Sequence, residues 1–458
     1  MIEIKGKVTF AGGVHPRENK RFTKQCPIEP FAAGRQVAIL LGQHIGAICK
    51  PTVAKRDTVQ AGQVVGRADA FVSAPVHSPV NGVVKDITLQ SHPVLGRAMA
   101  VIIETDAASN VTKRPCPHRF GADFDASAWE PGRIREAISE AGIVGMGGAG
   151  FPTRVKLEPN PQMPKDVIII NGCECEPFIT CDYRVMMEWT HQVLAGVQLA
   201  ARAAECFNIK IGVEDNKPDA IRVMREAVGQ CRQAKNIEVV PVRTKYPQGG
   251  ERQLIKAIWR KDVPVGGIPP MIGVVVLNVA TCAAIAEAVV CGSPLTHRVV
   301  TVSGSSIARP GNFYVPIGTE VGDLIEHCGG LNDKIAKVIL GGPMMGIAIA
   351  DLSTPITKTG GAITLLTKEE ITQAKYDRRE TACIRCGRCL EVCPAGINPT
   401  KIAHAVKHGM LDVAEKYHMK ACIECGCCSY ICPANIELTG YIKTGKILAA
   451  RAKKRMPQ

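Results

Sequence analysis

The rhythm of apolar positions changes along the chain, and each change predicts a different kind of element. From Ile45 the apolar residues come in short runs cut by Gly and Pro. They include Val53, Val59, Val64-Val65-Gly66 and then Ala74-Pro75-Val76-His77-Ser78-Pro79-Val80-Asn81-Gly82-Val83-Val84. Short runs with Gly or Asn-Gly turns between them predict an all-β module. A Pro-rich stretch from Lys113 to Pro117 reads as a loose linker, and a helical pattern follows over Arg133–Ala141. Beyond it, strand-length runs alternate with helical ones. Strands are predicted at Asp166–Asn171, Ile209–Glu214, Ile237–Val242 and Ile272–Asn278, with helices at Tyr183–Glu205 (one long helix), Pro218–Gly229 and Thr281–Val290. That alternation predicts an α/β domain with a mostly parallel sheet. A smaller α+β unit comes next: Val299–Ser303, a turn at Pro310-Gly311, Phe313–Pro316, a helix over Val321–Cys328, and Val338–Leu340. Gly341-Gly342-Pro343-Met344-Met345-Gly346 then reads as a tight loop whose methionines fill core gaps.

Past that loop the pattern gives way to cysteines. Cys383-x2-Cys386-x2-Cys389-x3-Cys393-Pro394 is followed by Cys422-x2-Cys425-x2-Cys428-x3-Cys432-Pro433. Three cysteines two residues apart can hold three corners of a cubane iron–sulfur cluster from one short loop. In a doubled run the fourth ligand comes from the other motif. The spacing therefore assigns one cluster to Cys383, Cys386, Cys389 and Cys432, and the other to Cys422, Cys425, Cys428 and Cys393. Paired zinc knuckles, or buried thiols, are the competing reading, but zinc sites use two-by-two pairs rather than this three-plus-one spacing before Pro. Cys427 is the spare thiol.

Composition narrows the class. The 458 residues suffice for about three or four domains. The 20 cysteines do not read as a secreted disulfide framework, since clusters and free thiols both suit a reducing compartment. Met1–Lys24 carries no signal-peptide pattern, and no run approaches the ~18 uncharged apolar residues of a membrane span. The formal charge of +14 invites a nucleic-acid reading, but the basic residues are scattered and aromatics amount to 4%. No nucleic-acid partner is expected. A basic face toward an acidic electron carrier or anionic lipid is, with Lys443, Lys446, Arg451, Lys453, Lys454 and Arg455 on the last helix. His15, His44 and His77, beside Gly and Pro, read as turn and packing residues rather than metal ligands.

Cofactor chemistry is also written in Gly145-Met146-Gly147-Gly148-Ala149-Gly150-Phe151-Pro152. The letters satisfy Gly-x-Gly-x-x-Gly, but a helix precedes them and Pro152 follows, which is not the dinucleotide-fingerprint context. What remains is physical: glycines let backbone N–H groups approach a phosphate or a flat ring. Lys156 lies where it can pair with a phosphate. Polar clusters fall at predicted strand ends, where such sheets bind ligands. They are Asn171-Gly172-Cys173-Glu174-Cys175-Glu176-Pro177, Tyr246-Pro247-Gln248-Gly249-Gly250-Glu251 and Asn278-Val279-Ala280-Thr281.

Together these clusters resemble the flavin-bearing NADH-oxidising subunit of respiratory complex I. The resemblance implies a Rossmann-like FMN/NADH domain. Its flavin contacts would be Gly145, Gly147, Gly148, Gly150, Lys156, Asn171, Glu174, Tyr246, Gly249, Asn278 and Thr281. Phe151, Glu176 and Glu251 would lie nearer the nicotinamide nucleotide, in the catalytic roles. Met146, Cys173, Gly250 and Ala280 depart from that family, where an Arg, an Asp and two Glu stand. The N-terminal rhythm resembles the barrel-sandwich of biotinyl and lipoyl carriers, but Val76-His77-Ser78 stands where those carry a lysine. The α+β unit resembles the β-grasp soluble-ligand-binding (SLBB) module.

The whole order resembles the RnfC family of the Rnf membrane complexes. That implies a multidomain α/β and α+β protein: a barrel-sandwich hybrid (1–112), an FMN/NADH-binding domain (125–292), an SLBB module (296–352), a two-cluster ferredoxin-like helical domain (368–445) and a basic tail (446–458). It further implies two 4Fe-4S clusters, non-covalent FMN and NAD(H) as substrate. The expected partners are membrane and iron–sulfur subunits, with ferredoxin reached directly or through one of them. The expected place is the cytoplasmic face of a prokaryotic membrane, peripheral. A relay subunit without nucleotide binding, or a donor to a soluble reductase, are the competing readings.

Overall fold

Valine-rich runs with alternating exposure build two small antiparallel sheets near the N-terminus. One holds Gln36–Leu40, Gly96–Thr105, Gly82–His92 and Thr58–Val59, and the other Lys50–Pro51, Val64–Arg67 and Val76–His77. Their inward residues, among them Val37, Ile39, Val65, Val76, Val101 and Ile103, close a shared core. This computed structural model describes residues 4–106, 112–373 and 379–455.

The central domain is a parallel sheet ordered Ile237–Val242, Ile209–Glu214, Val167–Asn171, Val274–Asn278. The first three strands step outward in one direction, and the fourth returns on the other side of the first. The order therefore reverses between Val167–Asn171 and Val274–Asn278, the switch point where α/β sheets open a crevice. Register places Asn171 and Asn278 side by side at the carboxyl edge there.

The expected long helix at Tyr183–Glu205 is two helices, Cys181–Glu188 and Thr190–Ala203. Trp189 breaks them with φ −120° and ψ 31°, and the Thr190 hydroxyl bonds back to the Met186 carbonyl at 2.6 Å. Such back-bonding bends helices. The break lets Trp189 meet Tyr314 of the next domain edge-on.

The linker read as loose is pinned. The Arg114 guanidinium lies 4.3 Å over the Trp189 ring, and Arg119 donates to the Val290 carbonyl. Cys116 is also disulfide-bonded to Cys291, 175 residues away. The reading of clusters and free thiols rather than a disulfide framework meets an exception at this pair. The linker packs on the end of helix Val279–Cys291, a proximity that no local pattern announces.

The β-grasp unit centres on a six-stranded sheet that includes Ala362–Thr367 and, parallel to Gly311–Pro316, the early segment Ile28–Pro30. The last domain is helical, with Pro399–Lys407 packed on the long terminal helix Leu438–Arg455. That helix runs across the boundary expected at 445.

Residues 4–30 thread against the flavin-like, β-grasp and helical domains that follow. Val8 bridges to Val242 and Val14 to Tyr246, while Lys20 donates to the carbonyls of Glu176 and Ile179.

Glu287, between helices Thr190–Ala203 and Val279–Cys291, accepts from Gln192 at 2.8 Å. Burial pushes its carboxyl up to about 7, against the bond from Gln192 and the charge of Arg114. A carboxyl raised above its unfolded value binds extra protons in the folded state between the two pKa values. Stability therefore falls as pH rises from about 4.5 to 7 and stays low above. Glu287→Gln should flatten that slope and gain on the wild type at pH 8 relative to pH 5, as read from denaturant midpoints.

Candidate cofactor sites

The doubled cysteine run folds as a doubled structure. Arg385 and Glu424 both have positive φ and turn their N–H groups to Cys383 and Cys422, at 3.4 and 3.3 Å. Gly387 and Gly426 follow at φ 78° and 80°. The Thr400 hydroxyl stands 2.8 Å from the Cys389 sulfur, and that of Thr439 stands 3.4 Å from Cys428. N–H and O–H groups aimed at sulfur stabilise the charge of a cluster and tune its potential.

Among the described residues no three His, Cys, Asp or Glu side chains converge as they would on a single ion. Instead Cys393, Cys422, Cys425, Cys427 and Cys428 line one cavity, closed by Pro394, Ile397, Ile423 and Ile442. Four of these five cysteines are the set that the spacing assigns to one cubane, with Cys393 drawn from the other motif, while the Cys427 thiol points at the Tyr246 carbonyl. Burial pushes Cys422 up to about 11 and Cys428 to about 12, so these thiols stay neutral until iron displaces their protons. Cys383 and Cys386 are exposed, with Cys389 and Cys432 half-buried.

At the sheet's carboxyl edge the glycine loop is a closed hairpin. Val144 and Pro152 form a bridge at its neck, and Gly145 donates to the Phe151 carbonyl. Met146 N–H donates to Thr281 Oγ1 at 2.9 Å. A Cβ on Gly147 would come within 2.7 Å of Asn278 Nδ2, whereas one on Gly148 would meet nothing within 4 Å. The loop thus packs on the strand end at one glycine and leaves bare backbone open at the next, which is what a flat ring or a phosphate needs. Asn171 donates to the Gly249 carbonyl at 2.8 Å, and Lys156 pairs with Glu251 at 3.1 Å while donating to the Val276 carbonyl. Asn278 caps helix Val279–Cys291 through Oδ1. The structure therefore gathers Gly145, Gly147, Gly148, Lys156, Asn171, Gly249, Glu251, Asn278 and Thr281 around the switch point.

Others sit apart. Glu174 is buried, accepts from Asp182 N–H and lies 3.9 Å from Lys20. Glu176 takes the Met344 and Met345 N–H groups at 3.2 and 2.8 Å, and burial pushes it up to about 7. The Tyr246 hydroxyl donates to the Cys425 carbonyl at 2.8 Å. Gly150 (φ +71°) is overlaid by Gln43, His44 and Thr359 from outside the domain. Phe151 is half-buried.

Met345 is exposed, so the reading of both methionines as core is corrected there. The backbone of that loop matters, held by Glu176. His44 bonds Ser73 and the Ala47 carbonyl, and His77 is buried in the barrel-sandwich.

The matching families follow this division. An RnfC barrel sandwich hybrid domain matches residues 8–108, a Nuo51 FMN-binding domain 138–287, an SLBB domain 299–348 and a 4Fe-4S dicluster domain 375–433. The C component of the proton-translocating ferredoxin:NAD(+) oxidoreductase complex of Clostridium ljungdahlii is 43% identical over 86% of this chain and 84% of its own length. The chain belongs to the RnfC family. The C component of the Na(+)-translocating complex of Acetobacterium woodii is 41% identical over 89% of each chain, and that of the ion-translocating complex of Rhodobacter capsulatus 38% identical over 89% of this chain and 77% of its own. A chain of an NAD+-reducing NiFe-hydrogenase superposes with a TM-score of 0.50 at 20% identity, covering 67% of this chain and 56% of that one. That likeness is one of fold. The four-part architecture read from the sequence is the architecture of the RnfC family, with its FMN-binding and 4Fe-4S dicluster domains. No described helix is long and apolar enough to cross a membrane.

Asp182 escaped the sequence reading. It accepts from Asn278 Nδ2 at 2.6 Å, and burial beside Glu174 pushes it up to about 7. Its one sequence signal is an acid in the first turn of a helix, which ordinarily means only a favourable helix start. Lys358 was missed too. It is fully buried, donates to the Pro75 and Gly142 carbonyls at 2.7 Å, and ties the barrel-sandwich hairpin to the glycine loop. Burial lowers it to about 7.

Proposed function

We propose that this chain is the peripheral subunit that passes electrons between iron–sulfur clusters and NAD(H) in an Rnf-type ferredoxin:NAD+ oxidoreductase, whose partner subunits translocate Na+ or H+ across the membrane. The observation that carries it is the adjacency of two sites. The cavity of Cys393, Cys422, Cys425 and Cys428 abuts the FMN-binding domain through the Tyr246–Cys425 hydrogen bond. Bound flavin supplies the exchange between one-electron clusters and two-electron nicotinamide.

The chain's own residues supply the rest. Gly145, Gly147 and Gly148 offer backbone to the cofactor, and Lys156 meets a phosphate. Asn171, Gly249, Asn278 and Thr281 shape the crevice at the strand ends. Phe151 and Glu251 stand on the nucleotide side. Glu174 reaches the crevice through Asp182, which accepts from Asn278, and Glu176 holds the Met344–Met345 loop. Cys383, Cys386, Cys389 and Cys432 would hold the more exposed cluster, suited to an incoming carrier, and Cys393, Cys422, Cys425 and Cys428 would hold the one beside the flavin domain. Arg385 and Arg388 beside the exposed cysteines suit an acidic iron–sulfur partner. The chain sits at the cytoplasmic face of the membrane, where the basic end of helix Leu438–Arg455 meets partners or anionic lipid.

Anaerobically purified protein should carry about eight irons and one non-covalent flavin, and NADH should bleach that flavin. Lys156→Ala should weaken flavin binding by about tenfold or more, the worth of a charge-assisted hydrogen bond. A wild-type flavin that NADH leaves oxidised would favour a relay subunit, in keeping with Cys173, Gly250 and Ala280.

A further inference from the structure

Between the flavin domain and the buried cysteine cavity lies a small junction of Val14, Tyr246, Cys425 and Cys427, with Cys175 and Met344 packed on it. Tyr246 is its centre, 1% exposed. Its hydroxyl donates to the carbonyl of Cys425, a cavity cysteine, and its own carbonyl accepts from Val14 N–H at 2.8 Å. The Cys427 thiol also points at that carbonyl, at 3.8 Å. Three residues on, Gly249 accepts from Asn171 at the sheet edge. An unbroken path of covalent and hydrogen bonds thus runs from a cluster-side peptide to the crevice.

The Gly12-Gly13-Val14 segment straps the same junction. Gly13 N–H donates to the Val392 carbonyl, next to Cys393, at 2.8 Å. Both glycines need their positive φ, +80° and +85°. A Cβ on Gly12 would touch the Val392 and Cys393 carbonyls at 3.0 Å, and one on Gly13 would reach 2.6 Å from the Tyr246 carbonyl. The strap therefore touches both cavity loops' supports at once, with no room for a side chain.

We infer that Tyr246 is the positioning residue for electron transfer between the flavin crevice and the cluster of Cys393, Cys422, Cys425 and Cys428, held in register by the Gly12–Val14 strap. The inference rests on the reading of function above. Bound flavin and cluster would supply the exchange of single electrons, with NADH as reductant, while the phenol keeps its proton. The hydroxyl dipole turns its positive end toward the cluster's ligand loop and so favours the reduced cluster.

Tyr246→Phe in the fully loaded protein keeps the ring and removes the bond. Iron and flavin content should stay at wild-type values. At a matched potential, reduced cluster on the Cys425 side should fall about fivefold, the equilibrium worth of one neutral hydrogen bond. The Cys383-side cluster should titrate as before. Freeze-quench EPR after mixing with NADH should show electrons reaching the Cys425-side cluster later. An unchanged titration and an unchanged arrival time would overturn the inference. Should Tyr246→Phe lose iron, Gly13→Ala carries the test. It leaves the phenol in place and displaces its backbone, so slowed arrival at full iron content supports the inference and wild-type arrival overturns it. If wild-type protein holds no flavin or no second cluster, the reading of function fails first, and this inference with it.

Discussion

Replacing Cys393 by Ala should remove the buried cluster and spare the exposed one. About four irons per chain should remain, with the spectroscopic signal of the Cys383, Cys386 and Cys389 site intact. Within its own motif Cys393 looks like the fourth ligand of its neighbours. In the structure it lines the cavity of Cys422, Cys425 and Cys428, and the Gly12–Gly13 strap rests on its carbonyl. Electron flow from NADH to any acceptor beyond the flavin should collapse, since the lost cluster is the one joined to the flavin domain. Cys432→Ala should give the mirror result, sparing the buried cluster. Damage confined to the Cys383 site in the Cys393 variant would show that each motif ligates its own cluster.

The second large effect is on stability. Glu214 and Lys217 form an ion pair at 2.7 Å with side chains 1% and 2% exposed. Lys217 also donates to Asn216 Oδ1, while Glu214 Oε1 finds no hydrogen-bond partner among the described residues. Burying two charges is costly, and the pair offsets that cost only while both members are present. Lys217→Met would leave a carboxylate in the interior beside the Cys173 thiol. The expected loss is about 3–5 kcal/mol, read from denaturant unfolding of matched preparations. Glu214→Gln added to Lys217→Met should recover most of it, because the orphaned charge goes. A single-variant loss below about 1 kcal/mol would show that water reaches the pair.

Much of this architecture was legible in the chain because its signals are local. Cluster ligands recur at fixed short spacings, and buried strands such as Val167–Asn171 and Val274–Asn278 are unbroken apolar runs. The asparagines that end those strands were legible as strand-end residues for the same reason. Trp189 was not, because what breaks the helix there is a partner ring at residue 314 and a hydroxyl turned back on its own turn. The Cys116–Cys291 pair joins residues 175 apart. Tyr246 and Glu176 carry side chains fit for a nucleotide pocket, and nothing in their sequence neighbourhood says that one reaches Cys425 and the other the Met344–Met345 loop. Those contacts exist only once four domains have packed.

The threading of residues 4–30 bears on the order of synthesis. A ribosome releases this segment before the domains it joins, so Val8 waits for Val242, Val14 for Tyr246, Gly13 for Val392 and Ile28–Pro30 for the strand Gly311–Pro316. The barrel-sandwich strands from Gln36 to Thr105 pair among themselves and can close while translation continues. The leader before them stays unpaired until most of the chain has emerged. Contacts of such sequence separation form late, and unpaired strand edges are open to wrong partners meanwhile. The nascent chain therefore carries an exposed ribbon until the domains it joins have emerged, and its docking is a late step of assembly.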